Sequence, residues 1–259
     1  MNAPWPRRPR LVAGNWKMNR TPAEGAALAG ELCALLPAPA AARVLLCPPF
    51  TALAAVRATI GGAPFLLGAQ NLHPEREGAF TGEISGPMLA ASGCTFVIVG
   101  HSERRHGMGE DDALVARKLR AALRDSLTPI VCVGETLAER EGGRTAEVLV
   151  RQVRGAYDEL ERDAALATVI AYEPVWAIGT GQVATPEQAA ESHRIVRATL
   201  DRVVTAGVGA EISVLYGGSV NANNAPVLFE QAEIDGALVG GASLEAASFW
   251  RIVAAAGRG

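Results

Sequence analysis

The distribution of apolar and polar positions divides the chain into eight short apolar runs separated by longer amphipathic stretches. Nearly all side chains within a run are apolar or β-branched, which is typical of parallel strands covered on both faces. Alternation with helices makes each strand–helix–strand unit a crossover, and eight units predict an α/β protein of the closed (β/α)8 barrel type. An open doubly wound sheet shows the same alternation. The predicted strands are Leu11–Ala13, Val44–Cys47, Phe65–Ala69, Phe96–Val99, Ile130–Val133, Val169–Tyr172, Ile212–Tyr216 and Ala237–Val239.

Two predicted helices begin with a complete capping pattern. Thr21-Pro-Ala-Glu24 and Thr185-Pro-Glu-Gln188 each supply an N-cap hydroxyl, a proline at the first helical position and a carboxylate or amide after it. A third helix is predicted over residues 110–125, where apolar side chains recur with a spacing near 3.6 residues. Lys118 falls among the charged positions of that helix, so we interpret it as a structural residue on a charged helix face.

The composition is that of a globular protein with ample material for a core. The chain has 259 residues, 49% of them hydrophobic and 20% charged, and its net charge is −3. A length near 250 residues is ordinary for one barrel, so we expect a single catalytic barrel domain over residues 11–257. Residues 1–10, which include Arg7-Arg8-Pro9-Arg10, are expected to form a flexible, solvated tail rather than a nucleic-acid arm.

Neither a membrane span nor a secretion signal is indicated. No stretch approaches the roughly 18 to 20 uninterrupted apolar residues of a membrane span, and no apolar segment precedes Leu11. We therefore expect a cytoplasmic protein that binds neither membrane nor nucleic acid. The cysteines are widely spaced and lie in apolar contexts, which favours reduced core thiols over disulfides or metal ligands. They are Cys33, Cys47, Cys94 and Cys132, and we predict no metal site.

Chemically useful residues occur where the predicted strands end. Because active sites of such barrels lie at the C-terminal ends of the strands, these residues are expected to converge. Taken singly, each has a structural explanation: a lysine can be a surface cation, a histidine or glutamate can cap a helix, and glycines can make tight turns. Their joint occurrence favours one site. They are Asn15 and Lys17 after strand 1, His101 and Glu103 after strand 4, Glu173 after strand 6, Ser219 after strand 7, and Gly240 and Gly241 after strand 8.

The segment after strand 6 has the pattern of a catalytic base followed by a lid. Glu173 ends an apolar strand, and Pro174 fixes the direction in which the chain leaves it. The following Ala-Ile-Gly-Thr-Gly, which ends in Gly179-Thr-Gly181, supplies the small residues that a hinge can use. We therefore predict that Glu173 acts on substrate beneath a mobile lid.

The glycine turns after strands 7 and 8 suit a phosphate group. Backbone N–H groups in such turns form a concave donor set, which predicts a cradle containing Ser219, Gly240 and Gly241, with Gly179 joining when the lid closes. The fingerprints of dinucleotide and nucleoside-triphosphate sites do not occur in the sequence, so no cofactor is predicted. Proton transfer next to a carbonyl group, as in aldose–ketose isomerisation, is the reaction class that remains.

Two other functions stay open at this point. Another phosphosugar barrel, such as an isomerase or aldolase, would share the cradle but not the base and lid. A catalytically silent phosphate-binding barrel with a binding or moonlighting role would give no reason for Lys17, His101 and Glu173 to occur together.

Motifs along essentially the whole chain resemble those of the triosephosphate isomerase family. Their order along the sequence is also that of the family, which makes a chance match implausible. The main motifs are Ala13-Gly-Asn-Trp-Lys-Met-Asn19, Val99-Gly-His-Ser-Glu-Arg-Arg105, Ala171-Tyr-Glu-Pro-Val-Trp-Ala-Ile-Gly-Thr-Gly181, Tyr216-Gly-Gly-Ser-Val220 and Gly236-Ala-Leu-Val-Gly-Gly-Ala-Ser243.

The resemblance implies a TIM barrel that interconverts D-glyceraldehyde 3-phosphate and dihydroxyacetone phosphate, in glycolysis and gluconeogenesis, without a cofactor. It implies that Glu173 moves the proton between neighbouring carbons through an enediolate and that His101 acts as the electrophile. That the histidine is neutral and that lid closure excludes water are known properties of this family, and this sequence alone does not supply them. Lys17 would supply positive charge, Asn15 would hold substrate oxygens, and Glu103 would pair with Lys17.

The resemblance also implies a homodimer. In the family, the long loop after strand 3, here about Gln70 to Glu83, inserts into a neighbouring subunit near its Asn15 and Lys17. Thr81, near the tip of this loop, is the residue that we expect to contact the partner's site.

Overall fold

The eight predicted strands form one closed barrel. The computed structural model describes residues 8–35, 42–179 and 182–257. Within these residues the strands are all parallel, each pairs with its neighbours in sequence, and the last pairs with the first. The (β/α)8 barrel is thereby confirmed, and the open doubly wound sheet is excluded. The strands are β1 Leu11–Asn15, β2 Arg43–Cys47, β3 Phe65–Ala69, β4 Phe96–Val99, β5 Thr128–Val133, β6 Val169–Tyr172, β7 Ser213–Tyr216 and β8 Gly236–Val239.

Helices occupy most of the chain between the strands. The two predicted capping patterns are confirmed: the Thr21 hydroxyl and backbone N–H contact the Glu24 carboxylate, and Thr185 and Gln188 make a reciprocal capping box. The helices are α1 Pro22–Leu35, α2 Leu53–Ile60, α3 Gly86–Ala91, α4 Ser102–Gly107, α5 Asp112–Arg124, α6 Leu137–Glu141, α7 Thr145–Tyr157, α8 Arg162–Leu166, α9 Pro186–Val203, α10 Ala225–Phe229 and α11 Ala246–Ala256, and short 3-10 turns span Phe50–Ala52, Val175–Ala177 and Gly241–Leu244.

The apolar side chains form two separate layers because successive side chains of a strand point to opposite faces. One layer contains outward-facing strand residues packed against the helices, such as Val12, Val44 and Val97. The other fills the inside of the barrel, as expected for eight strands. Its buried members are Leu11, Ala13, Leu45, Cys47, Phe96, Ile98, Ile130, Cys132, Val169, Ala171, Leu215 and Leu238.

The part of the predicted N-terminal tail that the structure describes lies against the bottom of the barrel. The Arg8 side chain donates to the Asp235 carboxylate at 2.7 Å, and Arg10 donates to the backbone oxygens of Phe229 and Ala256. Residues 1–7 of that tail lie outside the described residues. The proposed boundary between tail and barrel therefore stays a prediction.

The cysteine prediction is confirmed for three of the four thiols. Cys47, Cys94 and Cys132 are buried and free, whereas Cys33 on α1 is partly exposed. Burial raises the pKa of Cys94 to about 12, so this thiol stays protonated at neutral pH. Among the described residues, the structure has no helix that combines the length and the apolar character needed to cross a membrane.

Lys118 is buried, although it belongs to the charged positions of α5. Its ammonium group donates to Asn71 at 2.7 Å and to Glu110 at 2.5 Å. The reason is tertiary, because the segment after β3 covers this side of the helix. Lys118 therefore has a structural role, as we expected, and it performs this role in the protein interior.

Candidate active site

A cavity of about 280 Å³ opens at the C-terminal ends of the strands. Its walls come from the segments after β1, β4, β6, β7 and β8, as the barrel architecture predicts. Eight predicted site residues line it, whereas Glu103 contacts Lys17 from beside the cavity. The eight are Asn15, Lys17, His101, Glu173, Gly179, Ser219, Gly240 and Gly241.

Lys17 is held in a backbone conformation that is uncommon for a residue with a side chain. Its φ is 52°, in the left-handed region. The side-chain Oδ1 atom of Asn15 accepts from the Lys17 backbone N–H at 3.1 Å, and the side-chain amide of Gln70 donates to the Lys17 backbone carbonyl at 2.9 Å. At the other end, the ammonium group contacts the Glu103 carboxylate at 2.5 Å, as predicted. Sequence reasoning gave Gln70 no role in holding this lysine.

His101 presents a donor nitrogen to the cavity. It is the N-cap of α4, and its Nδ1 accepts from the backbone N–H of Glu103 at 3.2 Å. A ring nitrogen that accepts carries no proton, so the neutral ring has its proton on Nε2. That Nε2 lies 3.1 Å from the Glu173 Oε1 atom.

The Glu173 carboxylate is buried, and only one of its two oxygens accepts a hydrogen bond in the described structure. Its Oε2 accepts a hydrogen bond of 2.8 Å from the backbone N–H of Ser102. Its Oε1 has no hydrogen-bond partner within the described parts of the chain, although it lies close to the His101 ring. Burial, and next the Glu173 charge, raise the pKa of the neighbouring Cys132 thiol, which therefore stays neutral beside the carboxylate. A buried carboxylate with one free oxygen is suited to accept a proton.

Two glycines allow the backbone and side chain of Glu173 to lie where they do. A Cβ atom at Gly134 would lie 1.7 Å from the Glu173 carbonyl oxygen, and one at Gly217 would lie 2.8 Å from the Glu173 Cγ atom. Neither distance is tolerable for a real side chain. The glycines that directly follow β5 and β7 thus leave the space that Glu173 occupies after β6.

The start of the lid is fastened by Glu135, a buried carboxylate after β5 that the sequence analysis did not select. Its Oε1 accepts from the Trp176 indole at 2.9 Å and from Arg140 at 3.2 Å, and the Tyr172 hydroxyl contacts it at 3.1 Å. The Arg140 guanidinium also lies 4.6 Å from the centre of the Trp176 ring. The sequence shows the hydrophobic run that ends before Glu135, and it shows Trp176 in the predicted lid. It does not show that Glu135 and Trp176 contact each other.

The 3-10 turn at the start of the predicted lid also contacts the loop after β7. The Ser219 hydroxyl donates to the Ala177 carbonyl at 2.6 Å, so this hydroxyl is engaged with the lid. Gly179 has a φ of +70°, which favours glycine at that position. Thr180 and Gly181, which we assigned to the hinge, lie outside the described residues.

The described part of the chain contains no cluster of three or more His, Cys, Asp or Glu side chains able to hold a metal ion. The cavity also has walls that sequence reasoning did not name. These additional lining residues are Ile178, Gly217, Gly218, Val220, Leu238 and Ala242.

The fold and this site together indicate a (β/α)8-barrel enzyme with a candidate acid–base site at the mouth of the barrel. A family model described as triosephosphate isomerase matches residues 10–256. The chain is 53% identical to the triosephosphate isomerase of Chloroflexus aurantiacus over 243 residues, which cover 94% of this chain and 97% of that protein. It is 53% identical to the enzyme of Moorella thermoacetica over 247 residues, covering 95% and 98%. The chain therefore belongs to the triosephosphate isomerase family.

Proposed function

We propose that this chain is a triose-phosphate isomerase that interconverts D-glyceraldehyde 3-phosphate and dihydroxyacetone phosphate as a step of glycolysis and gluconeogenesis. Family membership supports the activity. The observation that carries the residue roles is the free Oε1 of Glu173 lying 3.1 Å from Nε2 of His101 at one cavity wall. A base and a donor in such proximity can act on adjacent atoms of one small substrate. No cofactor or metal enters the proposed reaction.

In the proposed reaction, Glu173 takes a proton from the carbon next to the carbonyl group. The electron pair of that C–H bond forms the carbon–carbon double bond, and the carbonyl oxygen becomes an enediolate oxygen. His101 donates from Nε2 to this oxygen and its neighbour, which stabilises the developing charge. The proton of the neighbouring hydroxyl is transferred to the former carbonyl oxygen through His101 Nε2, which donates one proton and takes up the other. Glu173 then returns its proton to the carbon that had carried the carbonyl group, so the numbers of atoms and electrons are unchanged.

The remaining predicted residues are assigned to substrate binding. Lys17 places a fixed positive charge at the cavity, because Glu103 contacts its ammonium group and the side chains of Asn15 and Gln70 hydrogen-bond to its backbone. We assign the substrate phosphate to the glycine turns that contain Gly240 and Gly241, beside Ser219 and the Gly179 N–H of the lid. A Cβ at Gly240 would lie 3.4 Å from the Lys17 Cε, so this turn passes close to the cation.

We also propose a homodimer formed through the segments that follow β1 to β4. Large apolar side chains are exposed there in the described part of the chain, and such side chains favour a protein interface. The loop of residues 70–83 carries one of them at its exposed tip, near Thr81. The exposed apolar residues are Met18, Phe50, Phe80, Met88 and Met108. Light scattering at assay concentration tests this proposal, and a fully active monomer would contradict it.

The domain and location assignments remain proposals as well. We propose one catalytic barrel domain over residues 11–257, preceded by a tail over residues 1–10. The family model match over residues 10–256 is compatible with this division. We propose a cytoplasmic location, where its triose phosphate substrates would be found.

The activity is tested by turnover of glyceraldehyde 3-phosphate in a dehydrogenase-coupled assay without added metal. Glu173→Gln keeps the shape of the side chain but removes the base, so we expect a fall in kcat of about 10² to 10⁴-fold. An unaltered protein no faster than Glu173→Gln would contradict the proposal. A catalytically silent binding barrel would then be the better interpretation.

A further inference from the structure

Gln152 carries a buried amide group that contacts the chain beside the proposed base without lining the cavity. It belongs to α7 and is 4% exposed. Its Oε1 accepts from the Gly134 backbone N–H at 2.7 Å, and its Nε2 donates to the Gly134 carbonyl oxygen at 3.2 Å. One side-chain amide thus binds both backbone polar groups of a single residue.

Gly134 packs directly against the backbone of the proposed base. A Cβ atom there would lie 1.7 Å from the Glu173 carbonyl oxygen and 3.2 Å from the Glu173 Cα atom, so only glycine fits. Glycine has more conformational freedom than any other residue, and it has no side chain through which it could be held. The two hydrogen bonds from Gln152 therefore restrain the residue that would otherwise be the least constrained in this segment.

The residues on either side of Gly134 hold the base and the start of the lid. The Val133 carbonyl accepts from the Glu173 N–H at 2.7 Å, and the Glu135 carbonyl accepts from the Val175 N–H at 3.0 Å. Both of these bonds are made to the chain that follows β6, whereas the N–H and carbonyl groups of Gly134 are not. A displacement of Gly134 would therefore be transmitted to both bonds.

The Gly134 groups have no partner in β4, the other neighbour of β5. In the described structure, the register between these two strands ends with Val99 opposite Val131, before Gly134 is reached. A buried N–H or carbonyl group without a partner is costly, so a replacement partner stabilises this point of the chain. A primary amide has a donor and an acceptor, as a peptide group does, and Gln152 therefore takes the place of the missing strand.

We propose that Gln152 is a positioning residue for the proposed base. By fixing Gly134, it holds the end of β5 against which the backbone of Glu173 is aligned, and this alignment directs the carboxylate into the cavity. The inference rests on the proposed isomerase function, because it assigns Gln152 to the proton-transfer step of that reaction. It differs from a role in stability alone, since a change at Gln152 should slow proton transfer in molecules that remain folded.

Gln152→Met tests the proposal, because methionine is of similar length and fills the space without supplying an amide. Both Gly134 groups then lose their partner. We expect kcat to fall at least about tenfold with little change in KM, since small displacements of reacting groups are costly. Substrate deuterated at the carbon that loses its proton should show a larger isotope effect on kcat than it does with the unaltered protein. Unchanged kcat and isotope effect in folded Gln152→Met would overturn the proposal.

Val153→Ala is the matched control on the same helix. Val153 is fully buried in the layer of apolar side chains between the strands and the helices, so its truncation destabilises the fold. It should lower the melting temperature and leave kcat and the isotope effect unchanged at temperatures where the protein is folded. An equal loss of kcat in Val153→Ala and Gln152→Met would show that destabilisation alone slows the reaction, and would overturn the proposal.

A double-variant cycle shows whether Gln152 acts through the base. Glu173→Asp misplaces the carboxylate by itself, so the alignment that Gln152 provides should matter less in that background. We expect the loss of kcat caused by Gln152→Met to be much smaller in Glu173→Asp than in the unaltered protein. Losses that simply multiply would mean that the two residues act independently, and would overturn the proposal.

Hydrogen exchange separates this proposal from the function on which it rests. The Gly134 and Glu173 amides are both hydrogen-bonded, and their exchange is measured without turnover. Relative to the amides of β1, both should exchange faster in Gln152→Met and not in Val153→Ala. Unchanged exchange of the Glu173 amide would overturn the inference and leave the isomerase function standing. An unaltered protein no faster than Glu173→Gln would refute that function, and with it the effect of Gln152 on catalysis.

Discussion

The Glu173 carboxylate accepts a 2.8 Å hydrogen bond from the backbone N–H of Ser102, the first residue of α4. The same helix is capped by His101, whose Nε2 lies 3.1 Å from the other carboxylate oxygen. The proposed base and the proposed electrophile are therefore located by one short helix. The distance between the Glu173 carboxylate and the His101 ring therefore depends on the backbone at the start of α4, which moves less readily than a side chain.

Glu173→Asp tests how far the reaction depends on this placement. The shorter side chain keeps the carboxylate but withdraws it from Ser102 and from the cavity. We expect kcat to fall by about 10²-fold, with KM changed only a few-fold, because small misplacements of reacting groups are costly. Steady-state kinetics beside Glu173→Gln give the comparison. An aspartate variant as active as the unaltered protein would contradict the proposed geometry.

Gly217→Ala tests the close approach beside the base. The added Cβ would lie 2.8 Å from the Glu173 Cγ and 3.2 Å from the Tyr172 carbonyl, so the glutamate side chain must shift. We expect kcat to fall by about 10²-fold. Gly62→Ala is the control, because its Cβ would meet no atom within 4 Å. Equal kcat values in the two variants would show that the crowding at Gly217 is relieved without moving the base.

Trp176→Phe tests the anchor of the lid. It keeps an aromatic ring but removes the 2.9 Å hydrogen bond to Glu135. A less well anchored lid should retain the enediolate less effectively, so a larger fraction of turnovers should end by loss of phosphate as methylglyoxal. Product analysis by chromatography measures this fraction. Trp250→Phe, a like change on α11, should leave it unaltered, and an unchanged fraction in Trp176→Phe would contradict the lid role.

His193 on α9 predicts an acid limit to stability. Burial lowers its pKa to about 3, whereas an unfolded chain binds a proton near pH 6.5. The folded state thus excludes a proton that the unfolded state takes up. The stability that the neutral ring contributes is complete above about pH 6.5 and is lost as the pH falls towards 3, with a slope of about 1.4 kcal/mol per pH unit.

His193→Gln should remove this slope between about pH 4 and 6, which urea unfolding at fixed protein concentration can measure. His106→Gln, at an exposed position, is the control and should keep the slope of the unaltered protein. Parallel curves for all three proteins would show that the buried imidazole does not set the acid limit.

The sequence predicted those parts of the fold that depend only on residues near one another in the chain. Apolar runs gave β3, β4 and β6 to the residue, because a strand buried on both faces leaves a continuous signal. β1 runs two residues beyond its prediction, since Gly14 and Asn15 pair with β2. That extension depends on a neighbouring strand that the local pattern does not include.

The site residues that sequence reasoning missed are those whose roles depend on distant partners. Glu135 is explained by Tyr172 and Trp176, which follow it by 37 and 41 residues. The burial of Lys118 could not be predicted from helical periodicity, because that pattern describes one helix and not the loop that covers it. Its partner Asn71 lies 47 residues earlier. The strand-end residues were easier to find, because barrel closure brings every strand end to the same rim.

Pro174 is the one residue between the base and the 3-10 turn that begins the lid. Its ring restricts φ, here −63°, so the chain has little slack at this point. A lid that swings here must turn the backbone of Glu173 with it, and an insertion of a single residue would uncouple the two movements. We therefore expect exclusion of water and alignment of the base to occur together, because a single residue separates Glu173 from the lid.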